Sequence, residues 1–140
     1  MKVVDLFCGC GGLSLGFEKA GMNVVAGFDN WASALEVYRS NFTHPAIMAN
    51  LANVEESVGK IRQFEPDMII GGPPCQDFSS AGKRNEDNGR GDLTVCYSRI
   101  ISEIKPRWFV MENVERILKT QKLQDALAVF RAAGYGLTYT

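Results

Sequence analysis

Residues 3–12 read VVDLFCGCGG, in which an apolar and partly β-branched run passes directly into a glycine-rich turn. Such a run predicts a short buried strand, and the glycines permit a tight turn that opens a helix. The helix has an apolar face that begins at Leu13, and Gly21 stands just after its predicted end. A strand, a glycine turn and a helix begin a βαβ unit, so this stretch predicts an α/β protein.

The rest of the chain repeats this alternation of strands and helices. Further strands are predicted at 23–28, 46–49, 67–70 and 108–111, a sixth begins at 135–140, and helices are predicted at 31–42, 54–64, 93–104 and around 123–130. Short connections between alternating elements imply a parallel sheet with right-handed crossovers and helices on both faces. We therefore predict a Rossmann-like, doubly wound, mostly parallel sheet in a single domain, residues 1–140.

Composition narrows the class of protein. The 140 residues, 46% of them hydrophobic, can bury one core, and a net charge of -1 gives no basic field for nucleic-acid phosphates. Nothing resembles a signal peptide or a bilayer-spanning stretch, so a cytoplasmic location is expected. The four cysteines lack the C-x-x-C spacing of zinc sites and stand far from the one histidine. We expect reduced thiols and no metal.

Unusual residues follow the carboxyl end of each predicted strand. The glycine turn follows the first strand, Asp29 the second, Asn50 the third, Cys75 the fourth and Glu112 the fifth. In open parallel sheets, ligands bind outside these ends. One crevice is therefore expected to hold all of these residues.

The glycine turn and Asp29 outline a nucleotide-binding βαβ unit. The dinucleotide fingerprint G-x-G-x-x-G has a third glycine where this chain has Ser14, which favours an adenosine cofactor without phosphates over a pyrophosphate. Asp29 would accept the ribose hydroxyls with its two oxygens, and Asn50 could hydrogen-bond the adenine edge. The alternative for Asp29 is a helix N-cap or a turn residue.

Cys75 stands in GGPPCQDFS, residues 71–79, where two glycines and two prolines form a stiff turn. A cysteine hydrolase needs a histidine as base, but His44 is predicted at a helix end away from the strand tips. A thiol facing Glu112, an acid expected to be buried at its strand end, suits conjugate addition to an electron-poor ring. The alternatives are an inert cysteine and a Glu112-Asn113 pair that only caps the next helix.

Four motifs closely resemble, in order and spacing, the amino-terminal motifs of the DNA (cytosine-5)-methyltransferases. They are DLFCGCGG at 5–12, GPPCQ at 72–76 with the following Phe78-Ser79, RGDL at 90–93 and ENV at 112–114. The resemblance covers nearly the whole chain but only the first part of the family's sequence. It implies an incomplete catalytic domain that binds S-adenosylmethionine and methylates carbon 5 of a flipped-out cytosine in double-stranded DNA.

The resemblance also implies roles for individual residues. Cys75 would add to carbon 6 of cytosine, and Glu112 would contact ring nitrogen 3 and the exocyclic amine. The implied cofactor-binding residues are Phe7, Gly9, Gly11, Leu13, Asp29, Asn30, Trp31, Asn50, Leu51, Pro73 and Leu93. The implied substrate-binding residues are Pro74, Gln76, Ser79, Lys83, Arg90 and Asn113, and the stretch 79–90 resembles a loop that closes over DNA.

The chain departs from the family's pattern at single residues and in its extent. Asn50 stands where the family usually has an acidic residue, Asp29 where many members have glutamate, and Cys8 where a small alanine-like residue is more usual. The family's target-recognition region has no counterpart in these residues, so the chain is expected either to have as partner a second polypeptide that carries this region or to be a fragment of a longer protein. Two other functions stay open: a tRNA cytosine-5 methyltransferase with the same motifs, and a non-catalytic module that binds S-adenosylmethionine.

Overall fold

Five parallel strands form one sheet in the computed structural model, which describes residues 1–74 and 92–140. The strands are β1 (Lys2–Leu6), β2 (Asn23–Asp29), β3 (Ala46–Met48), β4 (Met68–Gly71) and β5 (Trp108–Met111). Their order is β3-β2-β1-β4-β5, and every neighbouring pair is parallel. The predicted α/β class with a parallel sheet is confirmed.

Five helices connect and flank these strands: α1 (Gly12–Lys19), α2 (Ala32–Asn41), α3 (Val54–Arg62), α4 (Leu93–Ile104) and α5 (Gln121–Ala132). Polar side chains begin three of them, because Asn53, Asp92 and Thr120 each accept a hydrogen bond from a first-turn amide. A 3-10 turn at Glu115–Lys119 was not predicted. Among the described residues, no helix is long and apolar enough to cross a membrane.

The two faces of the sheet have separate apolar cores. On one face, side chains such as Val4 and Ile69 pack among α3, α4 and α5. On the other face, Val3 and Ile70 pack against α1. Successive side chains of a strand point to opposite faces, so Asp5 shares the α1 face with Val3 and is completely buried there.

Residues 135–140 do not form the predicted sixth strand. The ring of Tyr135 packs edge-on against Phe109, and the Tyr135 hydroxyl donates a hydrogen bond to the carbonyl oxygen of Pro106 at 2.6 Å. Leu137 packs against the same core. The prediction was wrong because an apolar pattern reports burial of side chains, which this segment achieves without pairing its backbone to β5.

Candidate functional site

A crevice of about 330 Å³ opens at the carboxyl ends of four strands. It is lined by Phe7, Gly9, Asp29, Asn30, Trp31, Ala49, Asn50, Leu51, Gly72, Pro74 and Leu93. The first two follow β1, the next three end or follow β2, and the others follow β3 and β4 or begin α4. The volume suits a small organic ligand, and the position is where parallel sheets bind one.

The turn after β1 brings the backbone close to this crevice. Phe7, Gly9 and Gly11 all have positive φ angles, of 59°, 52° and 97°. This conformation is ordinary for glycine, but for phenylalanine it costs on the order of 1 kcal/mol or more. The amide of Cys8 donates to the carbonyl oxygen of Phe28, which ties the turn to β2. The strained backbone of Phe7 is thus fixed beside the crevice by its neighbours.

Asp29 links the tip of β2 to the glycine turn. Its Oδ2 accepts a hydrogen bond from the Gly9 amide at 2.8 Å, and its Oδ1 accepts one from the Trp31 amide at 2.9 Å. Asp29 therefore serves as a turn residue, whereas the N-cap of α2 is Trp31, without a side-chain cap. Each carboxylate oxygen keeps a second lone pair, so the half-buried group can also accept hydroxyls from a ligand.

The remaining walls combine apolar surface with a few polar groups. Leu51 is buried beneath the crevice, and the Trp31 side chain is 63% exposed at its edge. Asn50 is exposed, and its Oδ1 accepts a hydrogen bond from the Ala52 amide at 3.2 Å. Apolar walls with a paired carboxylate and an open indole ring suit a flat heterocycle joined to a sugar.

A second group of predicted residues lies at the neighbouring tips of β4 and β5. The Glu112 amide donates to the Gly71 carbonyl oxygen at 2.9 Å, and Asn113 Nδ2 donates to the Pro73 carbonyl oxygen at 2.6 Å. Glu112 Oε2 lies 3.1 Å from the position that a Cβ on Gly72 would occupy. The carboxyl therefore lies directly against the turn that precedes residue 75 in the sequence.

Two expectations about this pair need correction. Glu112 is exposed, because β5 is an edge strand and no other described element covers its tip. The pair does not cap the following 3-10 turn, whose N-cap is Val114 without a side-chain hydrogen bond. Asn113 instead uses its side chain to join the tips of the two strands.

Several predicted site residues lie elsewhere. The crevice does not include Gly11, which is buried against the rings of Tyr38 and Phe42. Nor does it include Leu13, which packs on the core of the α1 face, or Pro73, which is buried. Cys75, Gln76, Ser79, Lys83 and Arg90 lie outside the described residues. No group of three or more potential metal ligands occurs within residues 1–74 and 92–140.

Sequence analysis missed Ala49 and Gly72 in the lining. Both are small residues at strand ends, and no property of a small side chain signals a ligand. It also missed that Asp5, inside a buried strand, is hydrogen-bonded to Ser14 of α1. A charged residue within an apolar run was a signal that a polar partner must exist.

Comparisons with known proteins concern the family and the fold of the chain. The family model for C-5 cytosine-specific DNA methylases matches residues 1–140. The Type II methyltransferase M.HindV of Haemophilus influenzae is 57% identical over 138 residues, which cover 99% of this chain and 45% of that protein. M.HgiDI of Herpetosiphon aurantiacus is 50% identical, with 98% and 44% covered. The chain thus spans less than half the length of these two relatives.

A shorter relative and two solved structures extend the comparison. M.HgiGI of Herpetosiphon aurantiacus is 54% identical over 126 residues, which cover 90% of this chain and 100% of that protein. A prophage-encoded candidate DNA modification methyltransferase of E. coli superposes with a TM-score of 0.74 at 33% identity, covering 94% of this chain and 37% of that one. The S. pombe Dnmt2 methyltransferase, at 20% identity and a TM-score of 0.77, covers 97% and 41% and shares the fold.

Proposed function

The chain belongs to the C-5 cytosine-specific DNA methylase family, and from this premise we propose that it is the cofactor-binding and catalytic part of a DNA cytosine-5 methyltransferase. The observation that carries the proposal is the crevice at the strand tips, with Asp29 in its wall and Pro74 at its rim. Glu112 lies at the next tip, against Gly72. A methyl donor and a base would meet between these groups.

The crevice would hold S-adenosylmethionine, which supplies an activated methyl group when bound. Asp29 would accept the ribose hydroxyls with the lone pairs that the Gly9 and Trp31 amides leave free. Trp31, Asn30 and Asn50 would contact the adenine, and Leu51 and Leu93 would exclude water. The two-oxygen acceptor between apolar walls is the feature of these residues that favours a nucleoside.

Cys75 and Glu112 would act on the cytosine, which must leave the base stack to reach them. The Cys75 thiolate would form a bond to carbon 6, and the electron pair of the 5,6 double bond would shift towards carbon 5. Glu112 would donate a proton to ring nitrogen 3 as charge develops and accept a hydrogen bond from the exocyclic amine. Once carbon 5 has taken the methyl group, water would accept its proton, and the electron pair of that C–H bond would restore the 5,6 double bond as the bond from carbon 6 to sulfur breaks and releases the Cys75 thiolate.

DNA recognition is proposed to come from sequence that these residues do not contain. The net charge of -1 gives no overall excess of positive charge for a duplex, and M.HindV is more than twice as long as the matched region. Asn113 would contribute by holding the Pro73 carbonyl, and Pro74, Gln76, Ser79, Lys83 and Arg90 by contacting the substrate. The target-recognition region, carried by further sequence of the same protein or by a second polypeptide, would complete the enzyme.

The test combines this chain with the carboxyl-terminal part of M.HindV and offers duplex DNA and tRNA with radiolabelled S-adenosylmethionine. We expect transfer to DNA and a covalent adduct with DNA that contains 5-fluorocytosine. The C75S variant should lose both while its affinity for S-adenosylmethionine stays within twofold. Transfer to tRNA alone, or cofactor binding without any adduct, would reject the proposal in favour of the corresponding alternative.

A further inference from the structure

Polar side chains behind the glycine turn form a continuous hydrogen-bonded chain. Asp5 Oδ2 and Ser14 Oγ are 2.7 Å apart, and Ser14 Oγ and Tyr38 Oη are also 2.7 Å apart. Tyr38 Oη lies 2.6 Å from His44 Nε2, and His44 Nδ1 lies 3.3 Å from Glu18 Oε1. The chain therefore runs from the interior of the sheet to a partly exposed carboxylate on α1. We call it the Asp5–Glu18 chain.

Asp5, at the inner end of the Asp5–Glu18 chain, lacks a hydrogen bond from any described residue at one of its two oxygens. Asp5 is completely buried, and its Oδ1 has no hydrogen-bond partner among the described residues. An ionised carboxylate in this position keeps only part of the stabilisation that water would provide. A protonated carboxyl loses less, because its second oxygen is then a neutral carbonyl. The surroundings of Asp5 therefore favour a bound proton.

Counting protons shows how every hydrogen bond of the Asp5–Glu18 chain can form. Its four links need four protons, whereas Ser14, Tyr38 and a neutral His44 carry one each. With Asp5 and Glu18 both ionised, one link lacks a proton and two lone pairs face each other across it. One additional proton completes the chain.

That proton can lie on Asp5 or on His44. On Asp5, it donates to Ser14, Ser14 donates to Tyr38, and Tyr38 donates to Nε2 of a neutral His44, whose Nδ1–H donates to Glu18. With the proton on His44, each hydroxyl donates in the opposite direction, and an ionised Asp5 accepts the last hydrogen bond. The shift from the first state to the second moves one proton from Asp5 to His44, and only O–H and N–H bonds form and break.

Tyr38, in the middle of the Asp5–Glu18 chain, adjoins the turn that lines the crevice. The rings of Tyr38 and Phe42 pack against Gly11, the last residue of the turn 8–11. A Cβ on Gly27 would lie 2.8 Å from Tyr38 Oη and 3.0 Å from Cys8 Sγ, so the hydroxyl also lies close behind the start of the turn. Within this turn, the Gly9 amide holds the Asp29 carboxylate.

We propose that Ser14, Tyr38 and His44 are positioning residues of the crevice: with Asp5 they share one titratable proton, and the completed chain holds the turn 8–11 so that Gly9 fixes Asp29. The part that concerns ligand binding rests on the proposed function. The part that concerns the shared proton rests on the four distances alone.

Neighbouring groups place the shared proton near neutral pH. Burial, opposed by hydrogen bonds from Ser14 and reinforced by the charge of Asp29, raises the pKa of Asp5 to about 7. Burial lowers the pKa of His44, and the charge and hydrogen bond of Glu18 oppose this effect. Asp5, with a raised pKa, and His44, with a lowered one, therefore compete for the proton as coupled sites do.

Three other titratable groups in or beside the Asp5–Glu18 chain stay neutral: Cys8, Tyr38 and Tyr97. Cys8 follows β1 and interacts with the Asp5 charge, and Tyr97 of α4 does so too. Burial raises the pKa of both groups, and burial likewise raises the pKa of Tyr38. None of these three side chains gives up its proton near pH 7, so the titration belongs to Asp5 and His44.

The first experiment follows the shared proton by NMR, which is simplified because His44 is the only histidine. The His44 ring nitrogens and the Asp5 carboxyl carbon are titrated from pH 4 to 9 in the wild-type chain. We expect all three nuclei to report the same two midpoints. Independent single midpoints would overturn the proposal, and this result needs no variant.

Variants distinguish coupling through the Asp5–Glu18 chain from a direct Coulomb interaction between its charges. Asp5→Asn imitates the protonated carboxyl and should lower the pKa of His44 by about one unit or more. Tyr38→Phe cuts the chain, so Asp5→Asn should then change the pKa of His44 far less. Tyr135→Phe, which removes a hydroxyl bonded to Pro106 outside the chain, should leave the full shift. If Asp5→Asn shifted the pKa of His44 equally in the wild-type, Tyr38→Phe and Tyr135→Phe backgrounds, the two groups would interact by Coulomb forces alone.

The second experiment measures S-adenosylmethionine affinity by calorimetry between pH 6 and 8. Tyr38→Phe should weaken binding about fivefold, the equivalent of one hydrogen bond, and Tyr135→Phe should not. The wild-type affinity should vary with pH, and that of Asp5→Asn should not. Equal affinities of the two tyrosine variants would reject the positioning role. Absence of any wild-type binding would reject the proposed function while the NMR result on the shared proton stands.

Discussion

Replacement of Asp5 by asparagine should change how stability depends on pH. The pKa of this carboxyl is about 7 in the folded chain, above its ordinary value of 3.8, chiefly because of burial. The folded state thus holds a proton that the unfolded state releases between these pH values. Asp5 costs nothing below pH 3.8, and its cost grows as the pH rises to about 7, where it reaches on the order of 4 kcal/mol.

Asparagine removes this cost but introduces another. Asp5 Oδ1 has no partner among the described residues in the wild type either. The amide, however, has two N–H donors where the protonated carboxyl has one O–H, so the variant leaves one more donor without a hydrogen bond, at about 1–3 kcal/mol. The variant should therefore be less stable than the wild type at pH 4 and more stable at pH 8, by roughly 1–3 kcal/mol in each case. The difference in stability between the variant and the wild type should therefore change sign between pH 4 and pH 8.

The assay is urea unfolding, followed by circular dichroism, at half-unit intervals from pH 4 to 8. The quantity to compare is the free energy of unfolding of the variant minus that of the wild type, in which contributions from the other titrating groups largely cancel. Asp125→Asn, which changes an exposed carboxyl on α5, is the matched control and should give a flat difference within about 0.5 kcal/mol. A flat difference for Asp5→Asn would refute the argument from burial.

Three further substitutions test the site. Gly71→Ala should lower the free energy of unfolding by about 2 kcal/mol in urea titrations, because its Cβ would lie 2.5 Å from the Leu6 carbonyl oxygen; an unchanged midpoint would contradict this packing. Asn113→Ala should reduce turnover of the completed enzyme about tenfold at unchanged cofactor affinity, since the Pro73 carbonyl loses its donor. Trp31→Ala should weaken S-adenosylmethionine binding about tenfold in calorimetry with stability within about 0.5 kcal/mol, because the indole is 63% exposed beside the crevice.

Local signals explain how much of the fold could be predicted. Helix α4 begins at Leu93 after the capping residue Asp92 and ends at Ile104, as the sequence indicated. β5 likewise has the predicted bounds, since its apolar run lies between turn signals. The segment 135–140 shows the limit of this approach. Whether an apolar segment becomes a strand depends on a neighbour with free backbone groups, and no local pattern reports that neighbour.

The candidate site was predictable to the extent that it depends on strand ends. The sheet topology brings Phe7, Asp29 and Leu51 into one crevice, because the carboxyl ends of parallel strands meet at one edge. Depth within the structure was not predictable in the same way. Glu112 was expected to be buried, but its strand is at the edge of the described sheet, and a side chain at an edge tip meets solvent.

Ser14 shows how a local motif can be explained by a distant residue. In the dinucleotide fingerprint, the third glycine allows the helix to pack closely on the strand. Ser14 is completely buried at that position, and its hydroxyl lies 2.7 Å from both Asp5 and Tyr38. A side chain larger than that of glycine is tolerated at this position because β1 supplies the Asp5 carboxyl as its hydrogen-bond partner. The serine therefore hydrogen-bonds one oxygen of Asp5, and its presence does not by itself argue against a pyrophosphate. The choice of S-adenosylmethionine thus depends on Asp29 and the apolar walls.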